Sequence, residues 1–194
     1  SVFKNRLVQD ILNTTAKQFS IALLFSDLKQ LTKFGLSVSV VVSSLAGYFL
    51  AAPKVELKTV LLLAIGGYCM VGASNAFNQI IEKVPDAVMK RTMNRPIPAG
   101  RMSVTTAMTI AVSLTLLGIA ILYTINPKTA LFAAISIFLY TSVYTPMKPV
   151  SPISVFVGAI PGALPCLIGW VAAYGNEPVS WTGAWVLFGI QFLW

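Results

Sequence analysis

Long uncharged runs separated by short polar loops dominate the chain. Five of these runs contain 20, 23, 26, 19 and 28 residues, and a sixth contains 17. In chain order they are residues 34–53, 59–81, 102–127, 129–147, 149–176 and 178–194. A helix needs about 20 apolar residues to cross the hydrocarbon core, and backbone groups in lipid must pair within their own segment. The pattern predicts an all-α polytopic membrane protein, a single domain over 1–194, with five complete transmembrane helices and a sixth that is begun.

Residues 1–30 precede the first run and show a different pattern. Apolar side chains recur there at helical spacing between polar ones, namely Phe3, Leu7, Val8, Ile11 and Leu12. This predicts an interfacial amphipathic segment over 1–30. A helix packed on the bundle and a disordered segment are the alternatives.

Composition supports the membrane class and excludes several others. Apolar residues make up 56% of the chain and charged residues 10%, against about a quarter charged in soluble domains. Disordered chains and nucleic-acid-binding modules are excluded, because both need more charge and less hydrophobicity. The two cysteines lie inside apolar runs, which excludes a disulfide scaffold. The chain has no histidine, which excludes histidine acid–base catalysis, the usual zinc sites and histidine haem ligation.

The basic residues are distributed unevenly between the two sides of the membrane. If the runs cross alternately, eleven Lys and Arg lie on the side of the N-terminus and of the second and fourth loops, and three on the other. Cytoplasmic loops are enriched in Lys and Arg. We therefore expect an integral, multi-pass protein, in the bacterial cell inner membrane, whose N-terminus and basic second loop are cytoplasmic.

The second loop carries the first candidate chemistry. Asn78, Glu82 and Asp86 are spaced four residues apart, so a continuous helix would place them on one face. Oxygen ligands of this kind suit Mg²⁺, which proteins usually hold with one or two carboxylates together with phosphate oxygens. Pro85 interrupts the pattern, which places Asp86 just past a helix end or after a kink.

Basic residues follow these oxygen ligands directly: Lys90, Arg91, Arg95 and Arg101. Guanidinium groups donate two parallel hydrogen bonds to phosphate oxygens, and lysine acts as a point charge. Carboxylates beside such a cluster indicate a metal–diphosphate site at the membrane surface. The alternative is a topology-setting basic loop in which the acidic residues only form ion pairs.

Two further segments have two interpretations each. Lys148, four residues after Tyr144, is predicted on the same side as the basic loop, where it contacts phosphate or only sets the topology. Residues 158–165 and 167–170 are rich in glycine and proline at membrane depth. They form either a close helix-packing surface or one wall of a substrate cavity.

Residues 78–101 resemble the first acidic motif of the UbiA-type intramembrane prenyltransferases. Asn78 is followed by Gln79, where Asp is common elsewhere in that superfamily. This pair and the run VGAIPGALPCLIGW, residues 157–170, are similar to the protoheme IX farnesyltransferase (haem O synthase) branch. The resemblance extends from about residue 28 to residue 194.

The resemblance implies a bundle of nine transmembrane helices around a central cavity. It implies transfer of the farnesyl group of farnesyl diphosphate to a vinyl group of haem B, with Mg²⁺ as cofactor. Haem B is then a substrate, and a haem A synthase or an oxidase-assembly protein is an expected partner. The motif positions imply these roles: catalytic and metal-binding for Asn78, Glu82 and Asp86, and diphosphate-binding for Lys90, Arg91, Arg95, Tyr144 and Lys148.

The chain departs from the family pattern in three places. Val84 stands where the family often has an acid, and Pro149 stands where it has a basic residue. The family also continues past the position of Trp194 into a second acidic motif, so we expect this chain to be an inactive fragment of the enzyme. Two other functions stay open: prenyl transfer to an aromatic acceptor such as 4-hydroxybenzoate, and a non-enzymatic membrane transporter or ligand-binding protein.

Overall fold

The structure, a computed structural model, describes residues 21–194, and all its regular elements there are helices. The apolar positions of the predicted interfacial segment, residues 3–12, lie outside the described residues. The helices are α1 (described over 21–31), α2 (Phe34–Ala51), α3 (Leu57–Ile81), α4 (Lys83–Val88), α5 (Val104–Tyr123), α6 (Pro127–Phe138), α7 (Thr145–Met147), α8 (Ser154–Ala172) and α9 (Trp181–Leu193). A π-helical turn, Leu139–Tyr144, joins α6 to α7.

Within residues 21–194, five helical segments are long and apolar enough to cross a membrane, as the sequence pattern predicts. They are α2, α3, α5, the continuous segment Pro127–Met147 and α8. The sixth apolar run forms α9, which has 13 residues and is shorter than a span. The protein is therefore an all-α, multi-pass integral membrane protein.

Polar caps define where two of these helices begin. The Ser103 hydroxyl accepts a hydrogen bond from the backbone N–H of Thr106 at 3.0 Å and starts α5. The Asn126 side chain accepts from the N–H of Thr129 at 2.8 Å and starts α6, with Pro127 in its first turn. Such caps satisfy N–H groups that have no partner within the helix, and proline loses nothing at this position.

The contact between α2 and α8 depends on glycine. A Cβ atom on Gly169 would overlap the carbonyl oxygen of Ser44, and one on Gly47 would overlap that of Cys166. The two backbones therefore touch directly, as small residues permit in membrane helices. This confirms the packing interpretation for this part of the glycine- and proline-rich segment. Pro161 and Pro165 both lie inside α8.

The path of the chain is irregular at two places on one side of the bundle. Between α1 and α2, Lys33 adopts a left-handed conformation with φ 47° and ψ 60°. The π-helical turn precedes Pro146, which has no N–H and whose ring would clash with the carbonyl four residues earlier in an α-helix. Both irregularities border the predicted site.

Candidate functional site

The three predicted oxygen ligands follow one another along a helical path that continues through the α3–α4 junction. The backbone N–H of Glu82 donates to Asn78 O, and that of Asp86 donates to Glu82 O, each at 2.9 Å. α3 ends at Ile81 and α4 begins after Glu82, so Pro85 falls in the first turn of α4, where its missing N–H costs little. Asp86 thus lies in a new short helix beyond the end of the first one, as the position of Pro85 predicts.

Asp86 is a buried carboxylate paired with an arginine of the second loop. Its side chain is 4% exposed, and Oδ2 accepts a hydrogen bond from Arg95 Nη1 at 2.5 Å. Thr92 ties the same loop to α4, because its hydroxyl donates to the Asp86 carbonyl at 3.0 Å. A buried carboxylate requires such a charged partner. Arg95 therefore belongs to the site geometrically.

Glu82 is paired with the lysine that follows the π-helical turn. Lys148 Nζ donates to Glu82 Oε1 at 2.9 Å and lies 4.8 Å from the centre of the Tyr144 ring. Burial acts to lower the pKa of Lys148, but the hydrogen bond and negative charge of Glu82 outweigh it and raise that pKa. Lys148 and Tyr144 are therefore brought to the first acidic motif, although 66 residues separate Lys148 from Glu82 in the chain.

Asn78 connects the acidic motif to two other segments. Its side chain is fully buried; Nδ2 donates to Thr145 Oγ1 at 3.3 Å, and Oδ1 accepts from Lys33 Nζ at 3.2 Å. Burial lowers the pKa of Lys33 to about 8, assisted by the positive charges of Arg95 and Lys148 and opposed by Glu82 and Asp86. Lys33 and Thr145 are site residues that the sequence analysis did not single out.

The remaining basic residues of the second loop lie apart from this cluster. Lys90 and Arg91 are exposed and form no ion pair among the described residues. Their contact with diphosphate stays a prediction. Arg101 has a structural partner, because its Nε donates to Oδ1 of the buried Asp27 at 2.9 Å. This ion pair fixes the end of the second loop against α1.

An apolar cavity of about 220 Å³ lies inside the bundle, bordered by residues of α3 that precede Asn78. Asn75, one helical turn before Asn78, and Tyr140, four residues before Tyr144, are among its polar lining residues. Deeper in the bundle the cavity is bounded by α2, α3, α6 and α8, including Gly158, Pro161 and Gly162. This part of the glycine- and proline-rich segment thus forms one wall of a cavity, and its contact with substrate stays a prediction.

The side chains present fit a divalent cation that is completed by its substrate. Among the described residues no group of three or more His, Cys, Asp or Glu side chains gathers as a ready-made metal site. Two carboxylates, Glu82 and Asp86, and the amide oxygen of Asn78 are the oxygen donors available. Mg²⁺ is commonly held by one or two carboxylates together with substrate phosphates, so this donor set suits it.

A family model covers most of the chain. Leu36, which lines the cavity, and Lys33, which belongs to the charged cluster, lie before its start. It describes the UbiA prenyltransferase family and matches residues 40–194. The chain belongs to the UbiA prenyltransferase family. The matched range contains α3, α4 and the second loop, on which the predicted oxygen ligands lie.

Similar curated proteins include several protoheme IX farnesyltransferases. The protein of that name from Flavobacterium psychrophilum is 62% identical over 174 residues, which are 88% of this chain and 57% of the relative. The one from Christiangramia forsetii is 61% identical over 173 residues, with 89% and 57% covered. The human mitochondrial protein is 38% identical over 168 residues, with 86% and 37% covered. The chain thus spans a little over half the length of the two bacterial relatives.

Solved structures show the same fold at low sequence identity. A digeranylgeranylglyceryl phosphate synthase superposes with a TM-score of 0.77 at 19% identity, covering 87% of this chain and 58% of the other. A UbiA homologue from Archaeoglobus fulgidus bound to GPP and Mg²⁺ superposes with a TM-score of 0.69 at 16% identity, covering 86% and 60%. These likenesses establish the arrangement of helices.

Proposed function

We propose that the protein catalyses Mg²⁺-dependent transfer of a farnesyl group from farnesyl diphosphate to a vinyl group of haem B, giving haem O. The observation that carries the proposal is the cluster of Asn78, Glu82, Asp86, Arg95 and Lys148, which begins one helical turn after Asn75 in the wall of an apolar cavity. The relatives named protoheme IX farnesyltransferase support the choice of both substrates. The homologue solved with GPP and Mg²⁺ supports a prenyl diphosphate and a divalent cation.

The basic side chains of the cluster would hold the leaving group. The C–O bond of farnesyl diphosphate breaks with its electron pair remaining on diphosphate, so negative charge grows there. Arg95 and Lys148 now donate to carboxylates and would donate to phosphate oxygens in the substrate complex. Mg²⁺ on Asn78, Glu82 and Asp86 would neutralise further charge on the leaving group. Lys90 and Arg91 lie on the second loop, as Arg95 does. Because both are exposed, they would reach the diphosphate only from its solvent side.

The cavity would protect the carbon fragment that forms. Loss of diphosphate leaves an allylic cation, which water quenches unless water is kept away. The cavity walls are predominantly apolar, with Met70, Ile137 and Ile168 among the lining residues. The haem vinyl group would supply the electrons for the new C–C bond, and water would then complete the hydroxyethylfarnesyl side chain.

The position of the cluster also supports the proposed orientation. Lys33, Arg95 and Lys148 come from the three segments that the charge pattern places on one side, and they meet at one end of the bundle. We propose that this end faces the cytoplasm of a bacterial inner membrane. A haem A synthase or an oxidase-assembly protein would then be the partner that receives the product.

The test is expression of the full-length protein in a bacterial strain that lacks its own haem O synthase. Haems extracted from the membranes are separated by chromatography, with an Asp86→Asn variant as the matched control. We expect haem O with the wild-type protein and little or none with the variant. Prenylated 4-hydroxybenzoate in place of haem O would favour an aromatic acceptor, and no prenylated product would favour a non-enzymatic ligand-binding protein.

A further inference from the structure

The corner between α1 and α2 holds a lysine in a strained backbone conformation. Only Thr32 and Lys33 separate the two helices, and Lys33 has φ 47° and ψ 60°. Residues other than glycine, asparagine and aspartate rarely adopt this left-handed region, at a cost of roughly 1–2 kcal/mol. Contacts around the corner must therefore stabilise it.

Two amide side chains of α3 supply those contacts. Gln79 Nε2 donates to the carbonyl oxygens of Gln30 at 2.8 Å and of Leu31 at 2.9 Å. Asn75, one turn earlier on α3, donates from Nδ2 to the carbonyl oxygen of Thr32 at 3.2 Å. Three consecutive carbonyl oxygens at the α1–α2 corner thus accept hydrogen bonds from one face of α3, in addition to those that the Lys33 N–H and the Ser37 hydroxyl donate there. We call Asn75 and Gln79 the carbonyl clamp.

The clamp is buried, and the hydrogen bonds that it donates set its orientation. Gln79 is fully buried and Asn75 is 2% exposed. Gln79 Oε1 has no hydrogen-bond partner among the described residues, so the two bonds that Nε2 donates decide how the amide is turned. A carboxylate of the same shape at position 79 has no N–H to donate and would face two carbonyl oxygens. The Gln that follows Asn78 therefore has a physical role.

The clamp directs the Lys33 ammonium to the site. Asn78 lies next to Gln79 on α3, and Lys33 Nζ donates to Asn78 Oδ1 at 3.2 Å. Arg95 and Lys148 are each paired with a carboxylate, whereas no carboxylate of the described residues lies within 4.0 Å of Lys33 Nζ. Among the described residues, Lys33 is thus the one of the three cations in the cluster that has no ion-pair partner.

We propose that Lys33 is a further diphosphate-binding residue and that Asn75 and Gln79 position it by holding the carbonyl groups of the α1–α2 corner. This inference rests on the proposed function and adds a third cation to its site. Lys33 donates to the leaving group, while the clamp residues act only through Lys33. Because the ammonium already touches a proposed metal-binding residue, it would reach an anion that shares that metal.

The first test uses titration calorimetry on the full-length protein in detergent. It measures how tightly inorganic pyrophosphate binds when Mg²⁺ is present. Lys33→Asn removes the ammonium, and asparagine tolerates the left-handed backbone. We expect its dissociation constant to rise on the order of tenfold, as for loss of one hydrogen bond to a charged group. The matched control is Lys29→Asn, which removes an exposed lysine one turn earlier on α1 and should leave affinity unchanged. Equal affinity of Lys33→Asn and wild type would overturn the proposal.

The second test is a double-mutant cycle with Gln79→Met, which keeps the approximate shape of glutamine without its donors. If Gln79 acts through Lys33, Gln79→Met should weaken pyrophosphate binding in the wild-type background and have little further effect in Lys33→Asn. The same fold loss in both backgrounds would overturn the positioning role. Gln79→Leu provides a second variant without donors or added charge if Gln79→Met does not fold, and thermal unfolding in detergent reports folding for each.

The outcomes separate this inference from the function on which it rests. No Mg²⁺-dependent pyrophosphate binding by the wild-type protein would overturn the proposed function together with the role of Lys33. Binding by the wild type with unchanged affinity in Lys33→Asn would overturn the role of Lys33 alone.

Discussion

Asp86 is the residue on which the proposed chemistry depends most. It is buried, and Arg95 compensates its charge in the absence of substrate. Asp86→Asn keeps the size of the side chain and an oxygen that accepts from Arg95, but it removes the negative charge available to a cation. We expect turnover to fall on the order of 10²-fold or more, the usual effect of losing one preorganised electrostatic group. Steady-state haem O formation by the full-length enzyme measures this.

Val84 offers a matched control two residues away. It is 76% exposed, so Val84→Asp adds an acid without disturbing packing. We expect near wild-type turnover from this variant. Full activity of Asp86→Asn at ordinary Mg²⁺ concentrations would remove Asp86 from the site.

Gly162 tests the cavity as the site of the prenyl chain. It lines the cavity, and a Cβ atom placed on it would meet no heavy atom within 4 Å. Gly162→Leu should therefore occupy cavity volume without straining α8. We expect the KM for farnesyl diphosphate to rise more than the KM for the shorter geranyl diphosphate. An equal change for both would place the prenyl chain elsewhere.

At the scale of the helices, the α2–α8 contact is the most sensitive to side-chain size. A Cβ on Gly169 would overlap the Ser44 carbonyl oxygen, and it would lie 2.9 Å from the Tyr48 nitrogen. Gly169→Ala should destabilise the protein by about 1–3 kcal/mol, because two backbones must separate. The control is Gly35→Ala on α2, where an added Cβ atom would meet no heavy atom within 4 Å. This variant should not destabilise the protein. Thermal unfolding in detergent compares the two, and equal melting temperatures would contradict the close contact.

The transmembrane helices were predictable from the sequence because each is an uncharged run of membrane length. The spacing of Asn78, Glu82 and Asp86 likewise indicated one face of a helix, and Pro85 indicated where that helix is interrupted. These are local patterns, and local patterns determine where helices begin and end in lipid.

The left-handed corner and the π-helical turn were not predictable in the same way. Nothing local to Lys33 requires a left-handed residue, since the corner is stabilised by amides of α3 more than 40 residues later. The uncharged run predicts one regular span over residues 129–147, because a proline alone does not specify a π-helical turn. The roles of Lys33 and Thr145 depend on these two irregularities, so neither residue was evident as part of the site.

At the scale of the molecule, the charge pattern predicts the orientation in the membrane. Ala99 in the second loop and Lys58 at the start of α3 are both exposed and lie on opposite predicted sides. Each is replaced by cysteine in a background in which Cys69 and Cys166 are alanine. In intact cells, a membrane-impermeant thiol reagent should label Lys58→Cys and should label Ala99→Cys only after permeabilisation. The reverse pattern would contradict the orientation.

The central claim is that the cluster and the cavity together form a metal-dependent prenyl diphosphate site. Equilibrium binding of farnesyl diphosphate to the full-length protein in detergent, with Mg²⁺ and then with EDTA, tests it most directly. We expect removal of Mg²⁺ to weaken binding on the order of tenfold or more, because phosphate charge then lacks its main counter-charge. Asp86→Asn should lose most of this Mg²⁺ dependence. Equal affinity of the wild-type protein with and without Mg²⁺ would contradict the account.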